Sequence, residues 1–137
     1  MKLEVGMYVR TRRGLIAKFT EVEKTENDEY NKYIFDGKIY WYYEYYNEYV
    51  YEEDFEYWFE NSVVKISHNI IDLIEVGDYV NGQKVYYDEE LDFLYVKCFD
   101  RDGEFYQESI TKKSFIDNIK TIVTKEQFQD MEYRLGE

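Results

Sequence analysis

Val76-Gly77-Asp78-Tyr79-Val80 (VGDYV) repeats, with one change, a pentapeptide near the start of the chain, Val5-Gly6-Met7-Tyr8-Val9 (VGMYV). Each copy is preceded by glutamate, Glu4 or Glu75. Each is followed within five residues by a glycine, Gly14 or Gly82, and then by another apolar strand. Further on, Asp54-Phe55 has a counterpart in Ser114-Phe115, and Val63–Ser67 in Thr121–Thr124. The copies stand 71 residues apart at the start and about 60 at the end, so the first carries about ten extra residues, between Thr20 and Glu53.

Within each copy, short strands alternate with turn residues. In the first, Met7–Thr11 and Leu15–Val22 flank Arg12-Arg13-Gly14. Lys32–Phe35 and Lys38–Tyr46 flank Asp36-Gly37, a pair suited to a hairpin turn because both positions tolerate positive φ. Asp54–Glu60 reads as a helical turn capped by Asp54, and Val63–Ser67 closes the copy. In the second, Asn81-Gly82 and Asp100-Arg101-Asp102-Gly103 mark turns, and Lys120–Val123 is the last strand. Thr124-Lys125-Glu126-Gln127 matches a capping box, which predicts a short helix to about Met131.

This pattern predicts a mainly β protein with short helices: two tandem small Src-homology-3-like barrels, spanning 1–72 and 73–137. The apolar connector Asn69–Glu75 (NIIDLIE) predicts that the halves pack as one rigid unit. A single larger β-sandwich is the competing architecture. A chain of 137 residues holds one ordinary core or two very small ones. An aromatic content of 20% helps small cores, since each ring removes a large apolar area from water.

Composition narrows the function. There is no uncharged apolar stretch of about 18 residues, so no membrane helix is expected. Met1 leads directly into strand-like sequence, without a basic-then-apolar leader. Together with a single cysteine, Cys98, this points to the cytoplasm as the expected compartment. Cys98 lies in the apolar run LYVKCF, where a buried, inert thiol is expected. A formal charge of −13 opposes direct nucleic-acid binding and favours fast association with a basic surface.

No catalytic constellation is legible, so the chain is read as a non-enzyme. His68, the only histidine, sits in a polar turn, Ser67-His68-Asn69, whose adjacent side chains do not aim at one atom. No Cys–His cluster suggests zinc, and no glycine-rich loop suggests a phosphate cradle. Asp100–Glu104 has its glycine at the fourth position, where a calcium loop needs it at the sixth, so a hairpin turn is expected. No cofactor and no metal are predicted. The arginines of Arg10–Arg13 pair with carboxylates of the chain or form one basic pole.

The distinctive stretch is Ile39–Glu60, IYWYYEYYNEYVYEEDFEYWFE, with seven carboxylates, twelve aromatic rings and no lysine or arginine. Tyr40, Tyr42, Glu44, Tyr46 and Glu48 would share one face of an extended strand. Trp41, Tyr43 and Tyr45 would turn to the core. Carboxylates on one strand face fall near 7 Å apart, from a rise of about 3.3 Å per residue. Glu52, Glu53, Asp54, Glu56 and Glu60 carry the charge onward. The predicted partner-binding residues are therefore Tyr42, Glu44, Tyr46, Glu48, Glu52, Glu53, Asp54 and Glu56, with phenols supplying flat hydrogen-bonding area.

The segments SHNIIDLIEVGDYVNG (Ser67–Gly82), TIVTKEQFQDMEYRL (Thr121–Leu135) and KLEVGMYVRT (Lys2–Thr11) resemble a family of small, mostly uncharacterised proteins of phages and prophages of low-GC Gram-positive bacteria. The resemblance covers about a third of the chain and leaves out the tyrosine–glutamate run. It implies a phage origin and carries no site residue. By analogy of size, charge and source, it points to inhibitors of bacterial immunity, among them anti-CRISPR proteins that mimic DNA. The expected function is an acidic inhibitor that occupies the basic nucleic-acid-binding surface of a host defence nuclease, in the cytoplasm of the infected bacterial cell, with a CRISPR effector as the expected target. The alternatives are a phage structural or adaptor module that binds protein through aromatic grooves, and a sponge for a signalling nucleotide at Arg10–Arg13.

Overall fold

The computed structural model describes residues 2–24, 31–41 and 45–130. The chain divides into two compact units, Met1–Leu73 and Ile74–Glu137, each built on an antiparallel five-stranded sheet. The first unit runs β1 (Tyr8–Thr11), β2 (Ile16–Lys24), β3 (Asn31–Trp41), β4 (Tyr45–Tyr51), helix α1 (Glu52–Ser62) and β5 (Val63–Ser67), then a 3-10 turn at Ile70–Leu73. The second runs β6 (Tyr79–Val80), β7 (Gln83–Asp88), β8 (Phe93–Phe99), β9 (Phe105–Ser109), helix α2 (Lys113–Ile116), β10 (Ile122–Val123) and helix α3 (Lys125–Asp130).

The two sheets share one strand order. The first is β4-β3-β2-β1-β5 and the second β9-β8-β7-β6-β10. In each, four strands meander, a helix follows, and the fifth strand returns beside the first. The protein is mainly β, with few and short helices. Neither sheet closes among the described residues: β4 and β5 remain edges of one, β9 and β10 of the other. In the first unit α1 packs against β3, β4 and β5. In the second, two-residue β10 offers few groups to pair.

The repeated pentapeptides perform the same local task twice. Gly6 and Gly77 take φ of +95° and +93°, values that glycine reaches without a Cβ clash. Gly6 N–H donates to Phe19 O and Gly77 N–H to Val85 O. The Phe19 and Val85 amides donate back to Met7 O and Asp78 O, both at 2.8 Å. Even the side chains match: Glu4 N–H donates to Met7 Sδ (3.3 Å), and Glu75 N–H to Asp78 Oδ2 (2.7 Å). Asp78 is fully buried, and its Oδ1 also accepts from Lys125 N–H, tying this turn to the start of α3.

The first core gathers Val9, Ala17, Phe19, Phe35, Ile39, Val50 and Trp58. Register explains the set: Val9 pairs with Ala17 and with Ile66, and Phe19 pairs with Phe35, so one face of the sheet is apolar. The second core holds Val80, Val85, Val96, Ile110 and Phe115, with Val85 opposite Val96.

Turn chemistry agrees with the sequence at Asn81-Gly82, where φ values of 51° and 80° join β6 to β7. It agrees again at Asp100–Gly103, which joins β8 to β9 with Asp100 Oδ1 accepting from the amides of Asp102 and Glu104. The capping box is formed: Thr124 N–H donates to Gln127 Oε1 (3.0 Å), and Gln127 N–H to Thr124 Oγ1 (3.3 Å).

Asp36-Gly37 differs from expectation. It is a bulge inside β3, and no hairpin turn forms there. The β3–β4 register shifts between Ile34 and Ile39, and the β2–β3 register shifts between Phe19 and Glu21. Gly37 supplies φ of +76°, and Asp36 Oδ1 accepts from Lys18 N–H at 2.5 Å, replacing a ladder partner. The strand predicted over Lys38–Tyr46 is therefore two antiparallel strands, with Tyr40 paired to Tyr46 and Trp41 to Tyr45. Ile39, the described side chain of this stretch, is buried in the core.

Candidate functional site

Helix α1 starts at Glu52, two residues before the predicted cap at Asp54, and runs eleven residues. Its N-cap, Tyr51, makes no side-chain cap bond; the first turn instead carries Glu52, Glu53 and Asp54 at the positive end of the helix dipole. Glu52 also holds β3, its two carboxylate oxygens accepting from Asn31 N–H (3.0 Å) and Asn31 Nδ2 (3.3 Å). The apolar stripe of Phe55, Trp58 and Phe59 faces the sheet, and Trp58 is 2% exposed. Phe55 stacks on Tyr33 with centroids 4.1 Å apart and planes 17° apart.

That stripe turns four glutamates to solvent. Glu52, Glu56 and Glu60 follow at i, i+4 and i+8, about 6 Å apart along the axis, with Glu53 beside them. All four are exposed, as is Tyr57; Asp54 is half-buried. No basic residue occupies the last turn. Among the described residues Glu53, Glu56 and Glu60 have no ion-pair partner. The arrangement is locally unfavourable: like charges four apart repel, and Glu60 sits near the negative end of the helix.

Of the predicted partner-binding residues, the structure thus brings Glu52, Glu53 and Glu56 together on one helix, longer than the single turn predicted from Asp54, and adds Glu60. Asp54 flanks them. Glu48 is exposed on edge strand β4. Tyr42 and Glu44 lie outside the described residues, as does the side chain of Tyr46; Trp41, Tyr43 and Tyr45 share that limit as core candidates.

Two phenols of the run, Tyr49 and Tyr51, have local ring contacts. Tyr49 and Tyr51 meet edge to face at 5.2 Å, and Lys32 Nζ stands 4.4 Å from the Tyr49 ring, so a cation distant in sequence approaches the run. The hydrogen bond to Tyr49 raises the Tyr51 phenol above its ordinary value. Burial raises that of Tyr33, reinforced by the charges of Glu52 and Glu56. Both phenols stay protonated donors at neutral pH.

Beside the acidic stripe lies an apolar groove of about 520 Å³. Leu3 and Val5 line it from the N-terminal segment, Val22 from β2, Tyr33 from β3, and Phe55 and Phe59 from α1. Phe19, Glu56, Glu60 and Lys2 complete its lining. The sequence offered a partial signal, Phe55 and Phe59 at helical spacing; the pairing that brings Val22 and Tyr33 to them is not local.

Other candidates resolve into structural roles. Arg10 is fully buried and donates Nη1–H to Leu73 O at 2.8 Å, which removes it from the proposed basic turn and leaves Arg12 and Arg13 exposed. His68 makes an exposed contact, Nε2 to Glu4 Oε2 at 3.2 Å. Half-buried Cys98 donates Sγ–H to Glu108 Oε2, and burial together with that carboxylate pushes its thiol pKa up. Among the described residues no group of His, Cys, Asp and Glu converges as a metal site, and no helix is long and apolar enough to cross a membrane. No protein-family model, curated protein or solved structure gives a significant match to the chain.

Proposed function

We propose that this chain is a phage-encoded inhibitor that binds the basic nucleic-acid groove of a host defence nuclease, in the cytoplasm of the infected cell. A CRISPR effector fits this role best. The observation that carries the proposal is the stripe of Glu52, Glu53, Glu56 and Glu60 on α1, exposed and without a basic residue in the last turn. Such a helix is stabilised by a partner's lysines and arginines, and its repeating charge resembles a phosphate backbone. The net charge of −13 supports steering toward a basic surface. The shared strand order, a meander with the fifth strand beside the first, supports an open variant of the Src-homology-3-like architecture in each unit. The segments that resemble phage proteins support the setting.

The test is a pull-down from bacteria carrying defence nucleases, followed by a cleavage assay on the captured protein. The wild-type chain should capture a nucleic-acid-binding protein and inhibit it in competition with its nucleic acid. The triple variant Glu53→Lys/Glu56→Lys/Glu60→Lys should lose at least tenfold in affinity. Inhibition that survives the triple change, or is insensitive to added nucleic acid, rules the mechanism out.

A further inference from the structure

The groove next to α1 differs from the rest of the acidic surface because rings and aliphatic side chains make up most of its lining, with Lys2, Glu56 and Glu60 as its charged members. Val5 and Val22 remain 53% and 44% exposed there, while Phe55, Phe59 and Tyr33 pack on the core beneath. A pure charge mimic has no use for such a cleft. Resting on the reading that α1 meets a basic protein surface, we propose that this groove seats a basic amphipathic helix of the partner, its apolar side chains in the groove and its lysines or arginines on Glu56 and Glu60.

Charge complementarity selects this occupant. Glu56 and Glu60 belong both to the groove and to the exposed stripe, and neither has an ion-pair partner among the described residues. A ligand entering the groove therefore meets carboxylates at its margin, offset only by Lys2. An acidic or phosphate-bearing ligand is repelled there, and a neutral apolar one leaves the carboxylates unpaired. An amphipathic helix carrying cations beside its apolar face satisfies both, in the helix-in-groove manner. Its apolar anchors add the well-packed centre that charge pairing alone lacks.

Two synthetic helical peptides of equal length and charge test this on the full-length chain: one of lysine and leucine with leucines at i, i+3, i+4 and i+7, the other with glutamine in place of leucine. Affinities are measured by fluorescence anisotropy at constant salt. The lysine–leucine peptide should bind at least tenfold more tightly. Val5→Ser/Val22→Ser, at half-exposed positions, should shrink that advantage below threefold. Glu56→Gln/Glu60→Gln should weaken both peptides. Equal affinity of the two peptides overturns the groove proposal; if the glutamine variant still weakens both, the acidic-stripe reading survives it. A leucine advantage unchanged in Val5→Ser/Val22→Ser also overturns the proposal, since the apolar side chains then sit elsewhere. If neither peptide binds, both readings fall.

Discussion

Asn81 shows how much one side chain can organise. Its backbone takes φ of 51° in the β6–β7 turn, its Oδ1 accepts from the amides of Lys120 (2.8 Å) and Thr121 (3.2 Å), and its Nδ2 donates to Asn118 O (2.9 Å). The turn residue is thus also the clamp that aligns β10 with β6. Asn81→Gly keeps the backbone conformation and loses the clamp; Asn81→Ala loses both. Urea denaturation should place Asn81→Ala about 1–2 kcal/mol below Asn81→Gly, because a Cβ in the left-handed region costs that much. Equal stabilities would mean the turn relaxes to another type. The conformation was legible in the sequence, since Asn-Gly favours it. The clamp was not, because its partners lie some 40 residues away.

At the scale of elements, α1 sets binding against stability. Glu60 repels Glu56 one turn earlier and stands near the negative end of the helix dipole. Glu60→Lys reverses both effects and should raise stability by about 0.5–1 kcal/mol, read from the urea midpoint. The same variant should bind the basic partner less tightly. A stability gain without a binding loss would separate the stripe from the interface. The helix also shows why the sequence predicts a single turn from Asp54 where eleven residues from Glu52 are helical. Alternation of tyrosine and glutamate from Tyr40 to Glu48 fits period two, whereas the apolar spacing of Phe55, Trp58 and Phe59 fits period 3.6 over too few residues to set the start. Asp36-Gly37 misled for a related reason. The dipeptide supplies positive φ equally to a hairpin turn and to a bulge, and only the β2 and β4 neighbours decide between them. The shared strand order, by contrast, was foreshadowed by the paired pentapeptides, whose glycines and flanking apolar residues act within a few residues of each other.

For the molecule as a whole, thirty acidic residues against seventeen basic ones leave repulsion that the fold must withstand. Raising sodium chloride from about 20 to 200 mM at pH 7 shortens the screening length to below about 10 Å and should raise the melting temperature. The same change should weaken association with a basic partner. A melting temperature that falls with salt would mean that ion pairs outweigh the repulsion. The acidity was plain in the sequence. Its concentration on one helix face beside an apolar groove was not, because that depends on which side of α1 the core takes.

The two sheets follow one plan with unequal parts. β2, β3 and β4 run nine, eleven and seven residues, against six, seven and five for β7, β8 and β9; the intervening helices have eleven and four. Tandem copies of one topology risk trading strands during refolding, so that each half completes itself with the other's piece. Here the exchange is mismatched. The final strand of the first unit, β5, has five residues and brings Val63 and Ile66 to its core; β10 has two and is held by Asn81. Misassembled hybrids would leave either a long strand without its ladder or a core without its lid. Unequal lengths thus make each strand a poor substitute for its counterpart in the other copy.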